Sequence, residues 1–319
     1  TVTVDLSATE TVAEDGTITY TATLTGGVAK NDITVTLANG EVITIPAGAE
    51  SGTFDVAAPV DDAYVTASIT NSIASAVESN AGNAGALEYL VVAGDTSVST
   101  DVTENDTETA ISLVDLAVEE GSGTASVTAT IANAPTDGPV VVTLDNGATI
   151  TFAVGATSAT STAFAIQDDD DYLDGETLTL TASVTSGGSE FENLTLDTNV
   201  DVVVSDTIDT VTVDLSATDT VAEDGTITYT ATLTGGVANN AITVTLANGE
   251  SITIAAGEAS GKVEVAAPTD DEYVTDAITN SIASAVEANA GTAGALENLA
   301  VAGDTSVSTD VTENDTETA

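Results

Sequence analysis

Residues 1–110 return at 210–319 with a constant shift of 209 positions and no insertion or deletion. The run TVTVDLSATETVAEDGTITYTATLTGGVA at Thr1 reappears at Thr210 with a single change, Glu10 to Asp219. Between the twins lies a diverged copy, in which Val114-Asp115-Leu116 and Gly123-Thr124 line up with Val4-Asp5-Leu6 and Gly16-Thr17. A period of about 100 residues is too long for a solenoid unit, which cannot fold alone, and matches one independent domain. Three domains are therefore expected, over 1–108, 109–208 and 209–319.

Within one copy, apolar and polar residues alternate in short runs separated by turn signals, the period-two pattern of strands. The pattern predicts strands over 2–6, 17–24, 33–37, 42–45, 53–56, 65–73 and 90–98, with a longer loop over 78–88 that holds one short helical turn. Asn39-Gly40, Asn146-Gly147 and Asn248-Gly249 are hairpin dipeptides suited to positive φ. Seven short strands per 100 residues indicate an all-β chain of three tandem immunoglobulin-like β-sandwiches in an elongated array. With six Tyr, four Phe and no Trp or Met, the cores must be built from Val, Ile, Leu and Ala, which suits a thin sandwich interior.

Charge narrows the function. The chain carries 52 Asp and Glu against two Lys, a formal net charge of −50, so nucleic acid and anionic membrane surfaces are excluded as partners. No apolar stretch reaches the roughly 20 residues that span a bilayer, and no signal peptide is visible. The sequence reads as a segment of something longer. Without Cys it has no disulfides, thiolate metal sites or cysteine nucleophiles. Without His, and with only Lys30 and Lys262 as bases, it lacks the usual groups of an enzyme active site, and no enzymatic activity is expected.

The carboxylates are clustered. In an up-and-down reading of seven strands, the A–B and E–F loops share one pole with the exit of strand G. That pole collects Glu14 and Asp15, Asp61 and Asp62, and Asp101, Glu104, Asp106 and Glu108. The third copy repeats the set as Glu223, Asp224, Asp270, Asp271, Glu272, Asp310, Glu313, Asp315 and Glu317. The middle copy supplies Glu119 and Glu120, then Asp168, Asp169, Asp170 and Asp171, then Asp201, Asp206 and Asp209. Carboxylates gathered without a basic neighbour need protonation or a bound cation, and hard oxygen donors favour Ca2+. The expected ligands at the junctions between successive domains are Glu14, Asp15, Asp61, Asp62, Asp101, Asp106, Glu108, Glu120, Asp168, Asp169, Asp170, Asp171, Asp206, Asp209, Glu223, Asp224, Asp270, Asp271, Asp310 and Asp315. The competing reading is a solvated acidic rim.

The succession Val-Ala-Glu-Asp-Gly, ITIPAGAESGTFDV and Asp61-Asp62 resembles Calx-β and related immunoglobulin-like repeats. SATETVAEDGTITYTATLTG, ITVTLANG, the turn at Asp61 to Tyr64, FENL at Phe191 and the run Ser205 to Thr210 resemble the extender repeats of giant RTX adhesins, the LapA-like biofilm adhesins and their ice-binding relatives. The resemblance implies a Gram-negative cell-surface protein exported by type I secretion, in which calcium stiffens a long tether. It departs at the first and third exits, where Glu108 and Glu317 stand in place of Ile208. Gly-Gly-x-Gly-x-Asp nonapeptides are absent. The resulting expectation is a monomeric, calcium-rigidified spacer whose partners are its own neighbouring repeats; the alternative is a carbohydrate- or protein-binding adhesive module.

Overall fold

A computed structural model describes residues 1–271 and 273–313. Among the described residues the chain is all-β, an array of immunoglobulin-like sandwiches, with no helix. It divides into two compact units: Thr1–Leu113 with Thr128–Ser161 and Ala182–Thr198, and Val114–Val127 with Thr162–Thr181 and Asn199–Ala319. The first repeat lies wholly in the first unit and the third in the second, while the strands of the middle repeat are shared between them.

In the first unit, repeat one has ten strands: β1 (Val2–Ala8), β2 (Thr11–Ala13), β3 (Thr17–Thr25), β4 (Ile33–Leu37), β5 (Val42–Ile45), β6 (Ser51–Ala57), β7 (Ile69–Asn71), β8 (Ile73–Glu78), β9 (Leu90–Val92) and β10 (Val98–Thr103). One sheet has the order β6-β3-β1-β9; the others are β5-β4-β8 and β2-β10-β7. β1 runs antiparallel to β3, with Leu6 opposite Ala22, and parallel to β9, with Thr3 opposite Val91. Alternation decides the facing: along β3, Ile18, Tyr20, Ala22 and Leu24 are buried, while Thr17, Thr23 and Thr25 are exposed. They meet Val4, Val35, Ile43 and Ile45 in one core cluster. Each fully buried aliphatic side chain there contributes on the order of 1.5–3 kcal/mol. Gly52 is required by the close approach of β5 to β6, because a Cβ there would stand 2.2 Å from the Thr44 carbonyl oxygen.

Two of the expected strands are differently built. The stretch 65–73 forms β7 only from Ile69, because Val65 spends its N–H on the Glu190 carbonyl (2.8 Å) of the following repeat. The stretch 90–98 breaks into β9 and β10. β9 adds to the β1 sheet, and β10 pairs with β2 and β7. Between them Asp95 accepts from the Ser97 N–H (3.1 Å), and the buried Thr96 hydroxyl accepts from the Ile73 N–H (3.2 Å). The loop over 78–88 holds successive hydrogen-bonded turns and no helical turn, with Ala81, Asn83 and Ala86 N–H groups donating to Glu78, Asn80 and Asn83.

The same unit contains one sheet of the middle repeat, in the order Ser158–Thr160, Thr128–Ile131, Glu108–Val114, Asn193–Leu196. In the second unit, Leu116–Glu119 pairs parallel with Asn199–Ser205, which pairs antiparallel with residues 176–181. The third repeat there repeats the pairing of the first: Ser260–Ala266, Thr226–Thr234, Thr210–Ala217 and Asn298–Val301 form one sheet, Thr220–Ala222, Val307–Thr312 and Ile278–Asn280 a second, and Ser251–Ile254, Ile242–Leu246 and Ile282–Glu287 a third. Its core cluster is the counterpart of the first, with Ile227, Tyr229, Val244 and Ile252 all but inaccessible.

Ile18→Ala is expected to lower stability by about 2–5 kcal/mol and the exposed Thr23→Ala by less than about 0.5 kcal/mol, read by chemical denaturation at fixed calcium.

Candidate metal centre

The turn Ala13 to Gly16 determines what happens to the first acidic pair. Gly16 N–H donates to the Ala13 carbonyl (3.0 Å) and Asp15 sits at φ 58°, the positive φ of the third position in a type II turn. Asp15 is anchored through its N–H to the Pro59 carbonyl (2.7 Å). Its side chain faces solvent, and Glu14 points inward with 4% of its surface exposed. The third repeat has the same turn, with Asp224 at φ 56° exposed and Glu223 buried. In the middle repeat Gly121 takes the positive-φ place at 69°, where a Cβ would lie 2.7 Å from the Asp169 Cβ.

Glu14 meets Glu104, just after β10, and Glu192, from the loop of the middle repeat; one carboxylate oxygen from each lies within 4.8 Å of the others. Glu104 Oε1 accepts from the Thr66 N–H (2.7 Å), and Glu192 Oε2 accepts from the Thr107 N–H (2.7 Å). Those bonds aim the other oxygens inward. Both oxygens of Glu14, Glu104 Oε2 and Glu192 Oε1 are buried without a hydrogen-bond donor. Burial, reinforced by the charges of Glu104, Glu192 and Asp61, pushes the Glu14 carboxyl up to about 7.

Two other buried carboxylates, Glu78 and Glu287, are treated differently. Glu78, also 4% exposed, accepts from the Asn31 N–H and side-chain amide and from the Leu87 N–H (2.7–3.1 Å). Burial raises its carboxyl, and these bonds outweigh that and hold it below the usual range. Glu287 likewise receives the Leu296 N–H (2.8 Å) and the Asn240 amide (3.2 Å). The Glu14 cluster is therefore set apart by its want of donors, and a hard cation supplies what is missing: Ca2+ takes six to eight oxygens and prefers carboxylates. Among the described residues the one salt bridge is Lys262–Glu264, 4.0 Å and exposed.

The second unit holds the corresponding arrangement where the middle repeat meets the third. Glu120, 3% exposed, lies with Asp174 and Asp206 within the same 4.8 Å. Glu297 stands where Glu192 does in the first: Phe191-Glu192-Asn193-Leu194 and Leu296-Glu297-Asn298-Leu299 are equivalent. Glu297 Oε2 accepts from the Asp209 N–H and Oε1 is buried without a donor. This cluster is not free of donors, since Thr207 N–H reaches Glu120 Oε1 (2.9 Å) and the Gln167 amide reaches Glu120 Oε2 (3.3 Å) and Asp174. Burial, only partly opposed by Thr207, still raises the Glu120 carboxyl, with Glu297 and Asp206 adding to it.

Of the expected ligands, the structure brings Glu14 into the first cluster and Glu120 with Asp206 into the second. Asp62, Asp170 and Asp271 are exposed and cap their own turns, accepting from the N–H groups of Tyr64, Tyr172 and Tyr273 (2.7–2.8 Å). Asp61 and Asp169 stand beside the clusters, exposed, and accept from the hydroxyls of Thr107 and Thr207. Asp171 is half-buried; burial first, then Asp209, Asp170 and Asp169, raises its carboxyl. Asp101, Asp106, Asp168, Asp209, Asp270 and Asp310 are exposed and belong to neither group, as is Glu108, which accepts from the Thr195 hydroxyl (2.6 Å). Glu223 is buried and accepts from the Thr275 hydroxyl (3.4 Å), and Glu272, Asp315 and Glu317 lie outside the described residues. Sequence reasoning passed over Glu192, Asp174 and Glu297, and counted Glu104 in the pole without naming it a ligand. The signal for the two glutamates was present: Leu87-Glu88, Phe191-Glu192 and Leu296-Glu297 recur once per repeat.

A tyrosine accompanies each cluster. The Tyr64 hydroxyl donates to the Ala134 carbonyl (2.7 Å), its ring lies 5.4 Å from that of Phe191, and Glu192 N–H donates to the Ala63 carbonyl (3.2 Å). In the second unit the Tyr172 hydroxyl donates to the Val237 carbonyl (2.6 Å), Leu173 and Ala295 pair N–H to carbonyl (2.8 Å), and Glu297 N–H donates to the Asp171 carbonyl (3.0 Å). Each seam is thus a short stretch of backbone pairing, an aromatic anchor and a carboxylate cluster.

The sandwich repeats and the acidic seams between them recur along the chain, and the family comparison follows the same repeats. The family model for the LapA domain matches three times, over 1–107, 105–207 and 209–316, and the chain belongs to that family. No curated protein matches it. Among solved structures, the fibronectin(III)-like modules of Clostridium thermocellum CbhA align at 16% identity over 66% of this chain and 97% of theirs, with a TM-score of 0.23.

Glu14 binds its proton more tightly in the folded chain than in the unfolded one, so between the ordinary carboxylate range and about 7 the folded state holds the extra proton. Stability of the calcium-free protein is therefore expected to fall as pH rises through that window and to level off above it. Melting in chelator at pH 5 and pH 8 tests this, with the difference shrinking when calcium is added.

Proposed function

We propose that the chain is a calcium-rigidified extender segment of a large bacterial cell-surface adhesin, holding a distal binding domain away from the cell. Membership of the LapA domain family supports an adhesin repeat at the cell surface. The observation that carries the calcium part is the convergence of Glu14, Glu104 and Glu192, drawn from two successive repeats, with four buried oxygens that no donor satisfies. A cation there ties the end of one sandwich to the start of the next. Without it, like charges oppose the same contact and the seam loosens.

The two seams have different chemistry. The first consists of three glutamates with no donor on the inward-facing oxygens, and the second includes the Gln167 amide. The first is the tighter site in this reading. Affinity in the 10⁻⁴–10⁻³ M range typical of extracellular modules leaves the chain pliable in a cytoplasm poor in calcium and stiffens it after export by type I secretion from a Gram-negative cell.

Glu14→Gln separates this reading from a merely solvated acidic rim. It keeps the shape and removes a charge, so the variant is expected to melt higher than the parent in chelator. It should also lose at least about tenfold in calcium affinity at the first seam, judged by calorimetric titration. A variant less stable in chelator, with an unchanged titration, would refute the proposal. Small-angle scattering of the parent should show a greater maximum dimension in calcium than in chelator.

A further inference from the structure

In each seam the later repeat presents two loops to the earlier one, and a carboxylate ties those loops together. In the middle repeat the loop after Thr128–Ile131 offers the Ala134 carbonyl to the Tyr64 hydroxyl (2.7 Å). The loop after Glu176–Ser186 supplies the Phe191 ring beside Tyr64 and the carboxylate of Glu192. Glu190 bridges the two. It stands on the second loop and reaches the first, where its Oε2 accepts from the Thr136 N–H (2.9 Å), the Thr136 hydroxyl (2.6 Å) and the Asp137 N–H (2.9 Å). Its own carbonyl accepts from the Val65 N–H (2.8 Å), so one residue fixes both loops and pairs with the first repeat.

The third repeat makes the same bridge from a different position. Its loop after Thr226–Thr234 offers the Val237 carbonyl to Tyr172, and its loop after Ile282–Glu287 supplies Ala295, Leu296 and Glu297. Ala295 stands where Glu190 does and has no carboxylate to reach with. Glu287, at the end of its strand, does so instead: Oε1 accepts from the Asn240 amide (3.2 Å) and Oε2 from the Leu296 N–H (2.8 Å). The loops have little stiffness of their own. Gly187 and Gly188, at φ 74° and 86°, and Gly291 and Gly294, at 77° and 80°, lie just ahead of the seam glutamates, and glycine loses more freedom on ordering than any other residue.

We infer that Glu190 and Glu287 are positioning residues for the two seams: each holds together the carbonyl that receives the tyrosine and the glutamate that the later repeat contributes. Neither is a member of a carboxylate cluster. Each acts through its neighbours, ordering the receiving loops before the earlier repeat and the cation arrive, so that less freedom is lost when they do.

Its metal readout rests on the calcium reading of the seams, and a second readout does not. In calorimetric titration of the full chain, Glu190→Ala is expected to weaken calcium binding at least about tenfold at the first seam and leave the second unchanged, the scale on which residues behind a metal ligand act. Glu287→Ala should do the reverse. Glu190→Gln removes the same charge but keeps an acceptor oxygen, so it should retain most of the affinity. Glu78→Ala breaks the like bridge to Asn31 and Leu87 in the first repeat, at a base neither cluster draws on, and should lower the melting temperature with both affinities intact. In chelator, amide exchange followed by NMR should speed at least about tenfold at Val65 and Glu192 in Glu190→Ala, with Val142 in the middle repeat's own sheet unchanged. Parental affinity in Glu190→Ala, an equal loss in Glu190→Gln, or exchange that speeds as much at Val142 as at Val65 overturns the inference. A parent chain that takes up no calcium removes the calcium reading, and exchange at Val65 and Glu192 then decides the positioning role by itself.

Discussion

Three carboxyl groups buried together with no donor aimed at their inner oxygens cannot all stay ionised unless a positive charge joins them. That constraint shapes the first seam. The turn that holds Asp15 at positive φ turns Glu14 inward, Thr66 holds one oxygen of Glu104, and Thr107 holds one oxygen of Glu192. Each of these backbone bonds occupies one lone-pair direction and leaves its partner oxygen facing the others. The contrast with Glu78, equally buried yet surrounded by donors, shows that the same chain can satisfy a buried carboxylate when the site requires neutrality of hydrogen bonding.

The tyrosine works on a different physical basis. Tyr64 and Tyr172 reach the next sandwich through apolar contact and one hydrogen bond to a main-chain carbonyl, neither of which depends strongly on salt or pH. The adjacent carboxylates are sensitive to both. Each seam therefore combines a permanent anchor, which sets where the two repeats touch, with a charge cluster that decides how firmly they do so. The backbone pairing of each seam, Val65 with Glu190 and Leu173 with Ala295, adds to the tyrosine's hold, and the carboxylates are the part of the contact that charge can loosen.

Much of the fold was legible because alternation along β1, β3 and β4 coincides with burial: the apolar residue of each pair faces the core and a threonine, serine or aspartate takes the outer place. The errors fall where the sequence serves two ends. Residues 65–68 alternate like a strand, but Val65 is engaged by the next repeat, and the run over 90–98 crosses from one sheet to another at Asp95 and Thr96. The acidic pole was legible as a region and poorly legible residue by residue. Adjacent aspartates looked like ligand pairs, yet Asp62 and Asp170 cap turns. Glu192 was passed over because it lies in another repeat, some 90 positions from Glu104, and only the seam brings them together.

Because the ligand set is split across a junction, its chemistry belongs to an ordered pair of repeats. The twins share both halves of that code, with Glu14 and Glu104 matched by Glu223 and Glu313, and Glu88 matched by Glu297. Unequal crossing-over between the two near-identical stretches removes or inserts one 209-residue period in frame, and every junction in the shortened or lengthened product is a kind already present. A change in repeat number of that kind calls for no new junction, because the two halves of each one are already encoded in the chain.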